Sequence, residues 1–238
     1  MTLIRKIVRK LRQLFFRGDN RKISYSQSGE DLIVTGLFNM LGIQKPSYLD
    51  LGAYHPTYLS NTYVFYQRRC RGVCVEPNPV YHKGFQKKRK RDVCLNVGVG
   101  ALTQAQADFF LMSEATLNTF SEKEAMRIDA ETPYKIVRKI LIPVISINEI
   151  IAQNFQAAPN FVSLDVEGLD LEILTAFDFK RWRPAVFCIE TALFSDKRED
   201  AAKIPQIADF MEQQGYFAYA DTYLNTIFVD KIVWSEQA

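Results

Sequence analysis

The chain has 238 residues, 47% apolar and 24% charged, enough for one full hydrophobic core and incompatible with intrinsic disorder. Its net charge of +3 is unevenly spread: residues 1–22 hold eight Lys/Arg against Asp19 alone, and the rest holds 22 basic and 26 acidic residues, a balance of −4. A mildly acidic body gives no reason to expect nucleic acid, and no apolar run is long enough for a membrane span or a signal-peptide core, so export is not expected.

In residues 1–22, Leu3, Ile4, Ile7, Val8, Leu11, Leu14 and Phe15 recur at helical spacing with Arg and Lys between them. This is the pattern of a basic amphipathic helix. It suits an anionic membrane surface at the inner face, and equally packing on its own domain or a partner, because periodicity does not say what covers the apolar face. A mitochondrial presequence shares the composition. The body, residues 23–238, reads as a single domain. Its cysteines, Cys70, Cys74, Cys94 and Cys188, form no Cys-x-x-Cys or Cys/His cluster. They read as reduced thiols of a cytoplasmic protein, not as a disulfide frame or a zinc site.

Tyr25 to Asp31 is a polar cluster leading into a helix over Leu32–Leu41, closed by Gly42. Strand one spans Tyr48–Leu51 and breaks at Gly52, with a crossover helix expected over Tyr58–Arg69. Strand two is Gly72–Val75, followed by a helix over Pro79–Lys90 whose basic run, 87–91, reads as a solvated face. Strand three is Val93–Val97. Residues 101–147 are then too irregular for a plain βα connection: a strand over Ala107–Leu111, a charged helical stretch to Arg138, and a strand over Ile140–Ile147. Such an insertion is expected to cover the substrate. After a helix over Asn148–Gln153, strand four (Phe161–Leu164), a helix (Leu169–Phe177), strand five (Val186–Ile189) and a helix (Ile204–Gln214) restore the alternation. Tyr216–Ala220 and Thr226–Val229 close it as a hairpin. The expectation is an α/β, doubly wound, mostly parallel sheet with an antiparallel strand at its C-terminal edge.

In such a sheet, ligands bind at the carboxyl ends of the strands. Here those ends carry Asp50, Glu76, Asn96, Asp165 with Glu167, and Glu190. A lone Gly52 at the first turn does not make the Gly-x-Gly-x-x-Gly that wraps a pyrophosphate, which argues against a nicotinamide-dependent oxidoreductase. It suits a phosphate-free cofactor such as S-adenosylmethionine, whose ammonium group Asp50 can face. Glu76 lies 26 positions beyond Asp50, near the ~20-residue offset of a ribose-binding acid. The alternative is a helix cap before Pro79. Glu190 reads as structural, and His82 as an exposed side chain of a basic helix.

Six stretches in unbroken order, 25–31, 48–56, 60–63, 75–79, 163–168 and 188–191, resemble the FkbM family of S-adenosylmethionine-dependent methyltransferases. The resemblance spans about residues 24–230 and leaves the basic tail outside. It implies a class I, Rossmann-like fold with a seven-stranded sheet, and O-methylation of a hydroxyl on a sugar, glycan, polyketide or similar metabolite; a carbohydrate-like or lipid-linked acceptor is the expectation taken from it. By position, Asp50, Gly52 and Ala53 would line the methionine end of the cofactor, Glu76 would hold the ribose and Asn78 would sit near the adenine. Gln27, Glu30, Ser60 and Asn61 match further motif positions, and Asn96 and Asp165 complete the cofactor-binding set. His55-Pro56 stands where the general methyltransferase motif has a Gly-rich tail. Asp165, Glu167 and His55 are the candidates for base or orienting group, and Asp165 with Glu167 could also hold Mg²⁺. A non-catalytic scaffold that keeps the fold is the rival reading.

Overall fold

The computed structural model describes residues 22–195 and 202–236. The expected amphipathic helix therefore lies outside the described residues, save for Lys22. Helix α1 (Glu30–Met40) leads into β1 (Tyr48–Leu51), α2 (Tyr63–Gln67), β2 (Gly72–Val75), α3 (Pro79–Lys88) and β3 (Val93–Leu95). The cover follows as β4 (Gly98–Gly100), β5 (Gln104–Met112), a 3₁₀ turn at Ala115–Leu117, α4 (Glu122–Glu131) and β6 (Ile136–Ser146). Helix α5 (Ile147–Asn154), β7 (Phe161–Leu164), α6 (Asp170–Ala176), β8 (Val186–Glu190), α7 (Pro205–Gln213), β9 (Tyr216–Asp221), β10 (Asn225–Asp230) and α8 (Lys231–Ser235) complete the chain.

Seven strands form one sheet in the order β3-β2-β1-β7-β8-β10-β9. The pairs from β3 to β8 are parallel; β10 is antiparallel to both β8 and β9. The antiparallel strand is thus the penultimate one, and β9 forms the edge outside it. Strands β1, β2 and β7 are buried throughout, because helices cover both faces. Alternate residues serve the two faces: Leu49, Leu51, Val162 and Leu164 pack with α5, α6 and α7, whereas Tyr48, Cys74 and Phe161 pack with α1, α2 and α3. All four cysteines are free thiols. No helix among the described residues is long and apolar enough to cross a membrane.

Three local expectations are corrected. The crossover helix begins at Tyr63, not Tyr58, and spans five residues. Pro56 disfavours helical backbone at the residue before it, the Nδ1 of His55 accepts the N–H groups of Thr57 and Tyr58, and Ser60 N–H is given to Tyr25 O. The charged helix ends at Glu131, short of Arg138. Pro133 stops it, and the alternating 136–142 run pairs with β5 instead. Strand three is shorter than expected, since Gly98–Gly100 leaves the main sheet to pair with β6 in a separate three-stranded sheet, β4-β6-β5.

The basic run 87–91 is not wholly solvated. Arg89 is 1% exposed, pairs with the buried carboxylate of Asp92 at 2.8 Å, and donates to Thr62 Oγ1 and Tyr48 Oη at 3.0 Å each. Its guanidinium also lies against the rings of Tyr48, Tyr66 and Phe85. His82, too, is half-buried, with Nε2 3.2 Å from Cys94 O.

Candidate functional site

Strand order reverses between β1 and β7, which leaves a crevice at their carboxyl ends. A cavity of about 290 Å³ occupies it. Its floor comes from the strand ends, with Glu76 from β2, Asp165 and Glu167 after β7, and Glu190 from β8. The cover supplies Phe109, the Ala115–Asn118 turn and Phe120, and the rims add Phe194, Ser195, Leu224 and Asn225.

Gly52 has φ 77, and a Cβ built there would stand 1.8 Å from Asp165 O. The glycine is therefore required by the approach of two strands, a reason that motif spacing alone does not disclose. Asp50 is buried and does not line the cavity: its carboxylate accepts from Thr62 Oγ1 at 2.5 Å, beside the Arg89 cluster. Glu76 is 5% exposed and does line it. Burial pushes its carboxyl up to about 8, opposed by the backbone N–H groups of Asn78 and Tyr54.

Among the other expected cofactor residues, Gln27 and Asn61 reach the wall, and Asn61 donates to Ser163 Oγ at 3.0 Å. The remainder stand behind it. Asn96 holds the carbonyls of Glu76 and Pro77 at 2.9 Å each, and Asn78 caps α3 through Val80 N–H. Ser60 accepts Tyr63 N–H, and Ala53 N–H bonds Val75 O. Glu30 accepts from Thr222 and Asn225, tying α1 to the terminal hairpin. Burial opposes its ionisation, but these bonds and backbone N–H groups outweigh it and leave the carboxyl lowered. His55 lies outside the cavity lining, and its ring caps the turn that precedes α2.

The strand-four carboxylates do converge, by a route other than extended backbone. Glu167 has φ 53 and Gly168 φ 93, and Thr119 of the cover donates to Glu167 O at 2.7 Å. Asp165, Glu167 and Glu190 each place a carboxylate oxygen within 4.8 Å of the others. No hydrogen-bond donor among the described residues reaches these side chains. Burial raises Asp165 to about 7, with Asp170 and Asp50 adding to it, and raises Glu167 and Glu190 well above the usual range. Glu190 is the member that the sequence underrates; its signal is a strand end beside strand four. The aromatic walls Phe109, Phe120 and Phe194 carry no motif that would announce them.

Residues 50–218 match the methyltransferase FkbM domain. The chain belongs to the FkbM methyltransferase family. That membership makes the matched segment, residues 50–218, a methyltransferase domain. No curated protein matches the chain. Among solved structures it is similar to methyltransferase FkbM of Methylobacillus flagellatus KT, at 15% identity and TM-score 0.44 over 90% of this chain and 46% of that one. This chain therefore spans about half of that protein. It is also similar to a putative caffeoyl-CoA O-methyltransferase of Staphylococcus aureus (10% identity, TM-score 0.46, 96% and 100% covered). A third is the Burkholderia thailandensis 1,6-didemethyltoxoflavin-N1-methyltransferase with bound S-adenosylhomocysteine (11%, TM-score 0.40, 96% and 89% covered).

Proposed function

We propose that the protein is an S-adenosylmethionine-dependent O-methyltransferase acting on a hydroxyl of a sugar, glycan, lipid-linked acceptor or related metabolite. The observation that carries this reading is the cavity lining: four carboxylates and no Lys, Arg or His among the described residues. Such a lining has no cation for a pyrophosphate and suits a ligand with positive charge and hydroxyl groups. Glu76, at the β2 end, would accept hydrogen bonds from the ribose hydroxyls, and Gln27 and Asn61 would supply further polar contacts at the wall. When bound, S-adenosylmethionine supplies the electrophilic methyl group. Phe109, Phe120 and Phe194 exclude water, and the acceptor hydroxyl sits against Asp165 and Glu167, whose raised proton affinity suits a general base.

A second occupant, of the cluster that Glu190 completes, is favoured by the mutual distance of the three carboxylates and their lack of donors. Asp165, Glu167 and Glu190 would hold Mg²⁺, which would polarise the acceptor oxygen. Calorimetry with S-adenosylhomocysteine and with NAD is the first test: tight binding of the former alone is expected, and the reverse order would overturn the reading. Mass spectrometry of glycans and lipid extracts incubated with enzyme and labelled donor then identifies the acceptor. Sensitivity of that transfer to chelators distinguishes metal from base.

A further inference from the structure

The amino ends of the strands carry a charged feature that the cavity does not use. Lys45 precedes β1, Arg68, Arg69 and Arg71 precede β2, and Lys90 and Arg91 precede β3; all six are exposed. Since β3, β2 and β1 are neighbours, these loops form one edge. Contacts between the loops fix them together: Lys45 Nζ donates to Arg68 O at 2.8 Å, Gly72 N–H to Asp92 at 3.1 Å, and the Arg91 guanidinium lies 3.8 Å from the Tyr66 ring centre. The one acid in residues 41–47, 68–71 and 89–92 is Asp92, whose side chain is fully buried on Arg89. Six cations thus stand without an exposed acid among them, in a body whose balance is −4. Met40, 55% exposed, and Val93, 47% exposed, flank them.

We infer that this edge docks on an anionic lipid bilayer, with the cavity mouth at the far end of the strands turned toward solvent. Cations on short loops, beside exposed apolar side chains at the end of α1 and the start of β3, match a surface that offers negative headgroups over an apolar layer. RNA recognition needs rings free to stack, and here Tyr48 and Tyr66 are buried beneath guanidinium groups. In sequence, residues 1–22 carry charge of the same sign, with apolar residues at helical spacing.

The test is co-sedimentation of the full chain with phosphatidylcholine vesicles containing about one third phosphatidylserine, at low and high salt. The variant Arg68→Gln/Arg71→Gln/Lys90→Gln is expected to bind at least ~10-fold more weakly than wild type. Lys83→Gln/Lys123→Gln/Arg138→Gln, which removes equal charge from other exposed positions, should bind within about threefold of wild type. All six positions are exposed, and equal denaturation midpoints keep the comparison one of charge. An environment-sensitive fluorophore at Met40→Cys should shift to the blue on vesicles, and one at Tyr58→Cys should not. Equal losses in both triple variants, undiminished binding of the first, a shift at Tyr58 instead of Met40, or binding to poly(U) without binding to vesicles would each overturn the inference. S-adenosylhomocysteine calorimetry on wild type reports separately on the methyltransferase reading, whose failure would leave the vesicle result standing.

Discussion

At the amino ends of the strands, buried Arg89 meets Asp92 at 2.8 Å, with Tyr48 and Thr62 completing its hydrogen bonds. At the carboxyl ends, Asp165, Glu167 and Glu190 crowd within 4.8 Å and receive no hydrogen bond from the described residues. Both regions place charge at low dielectric. One satisfies it within the chain and the other does not, so on the proposed reading pairing, more than burial, separates a structural charge from one that a ligand would complete.

The largest expected effect lies at the paired end. Arg89→Met leaves Asp92 buried and uncompensated, which should cost about 3–5 kcal/mol in urea denaturation. A loss below about 1 kcal/mol would erase the contrast. At the unpaired end, Asp165→Asn or Glu167→Gln should lower methyl transfer about 10²-fold with donor affinity little changed, while folding stability stays level or rises as repulsion is relieved. Radiolabelled transfer and denaturation on the same variants check both halves. Glu76→Ala should weaken S-adenosylmethionine binding by about 1.5–3 kcal/mol in calorimetry.

The last expectation is a pH slope. Glu76 at about 8 and Asp165 at about 7 hold protons in the native state that the unfolded chain has released above its ordinary values of 4.5 and 3.8. Their contribution to stability is therefore full below about pH 4 and is lost as pH rises through 7 and 8. The denaturation midpoint of the ligand-free protein should decline over that window, and Glu76→Gln should flatten it. Ribose hydroxyls donate to the ionised carboxylate, so cofactor binding near pH 7 should release a proton. Calorimetry in buffers of different ionisation enthalpy measures it.

The parallel strands were legible because short apolar runs, alternating with helical stretches, ended in polar side chains, four of the five in acids. Glu76, Asp165 and Glu167 followed from that pattern alone. What remained hidden depends on backbone or on distant partners. Tyr54 and Leu59 adopt positive φ without being glycine, so the 52–62 loop could not be told from a helix start. Arg89 looked like its neighbours Lys88 and Lys90, because only the fold brings Asp92, Tyr48 and Thr62 around it. Glu190 acquires its place in the site from β7–β8 pairing, and Phe109 and Phe120 from the folding back of a sheet that periodicity does not foresee.

The absence of one methyl group at Gly52 sets the gauge of the crevice. With Asp165 O only 1.8 Å from where a Cβ would stand, β1 and β7 meet at the switch point as a single jaw. The opposing jaw is built from the 115–120 segment and the Phe194 rim, which touch neither strand's ladder. On the proposed reading, a different acceptor would be met by reshaping the second jaw with Thr119 kept, since its hydrogen bond to Glu167 O ties that jaw to the carboxylates.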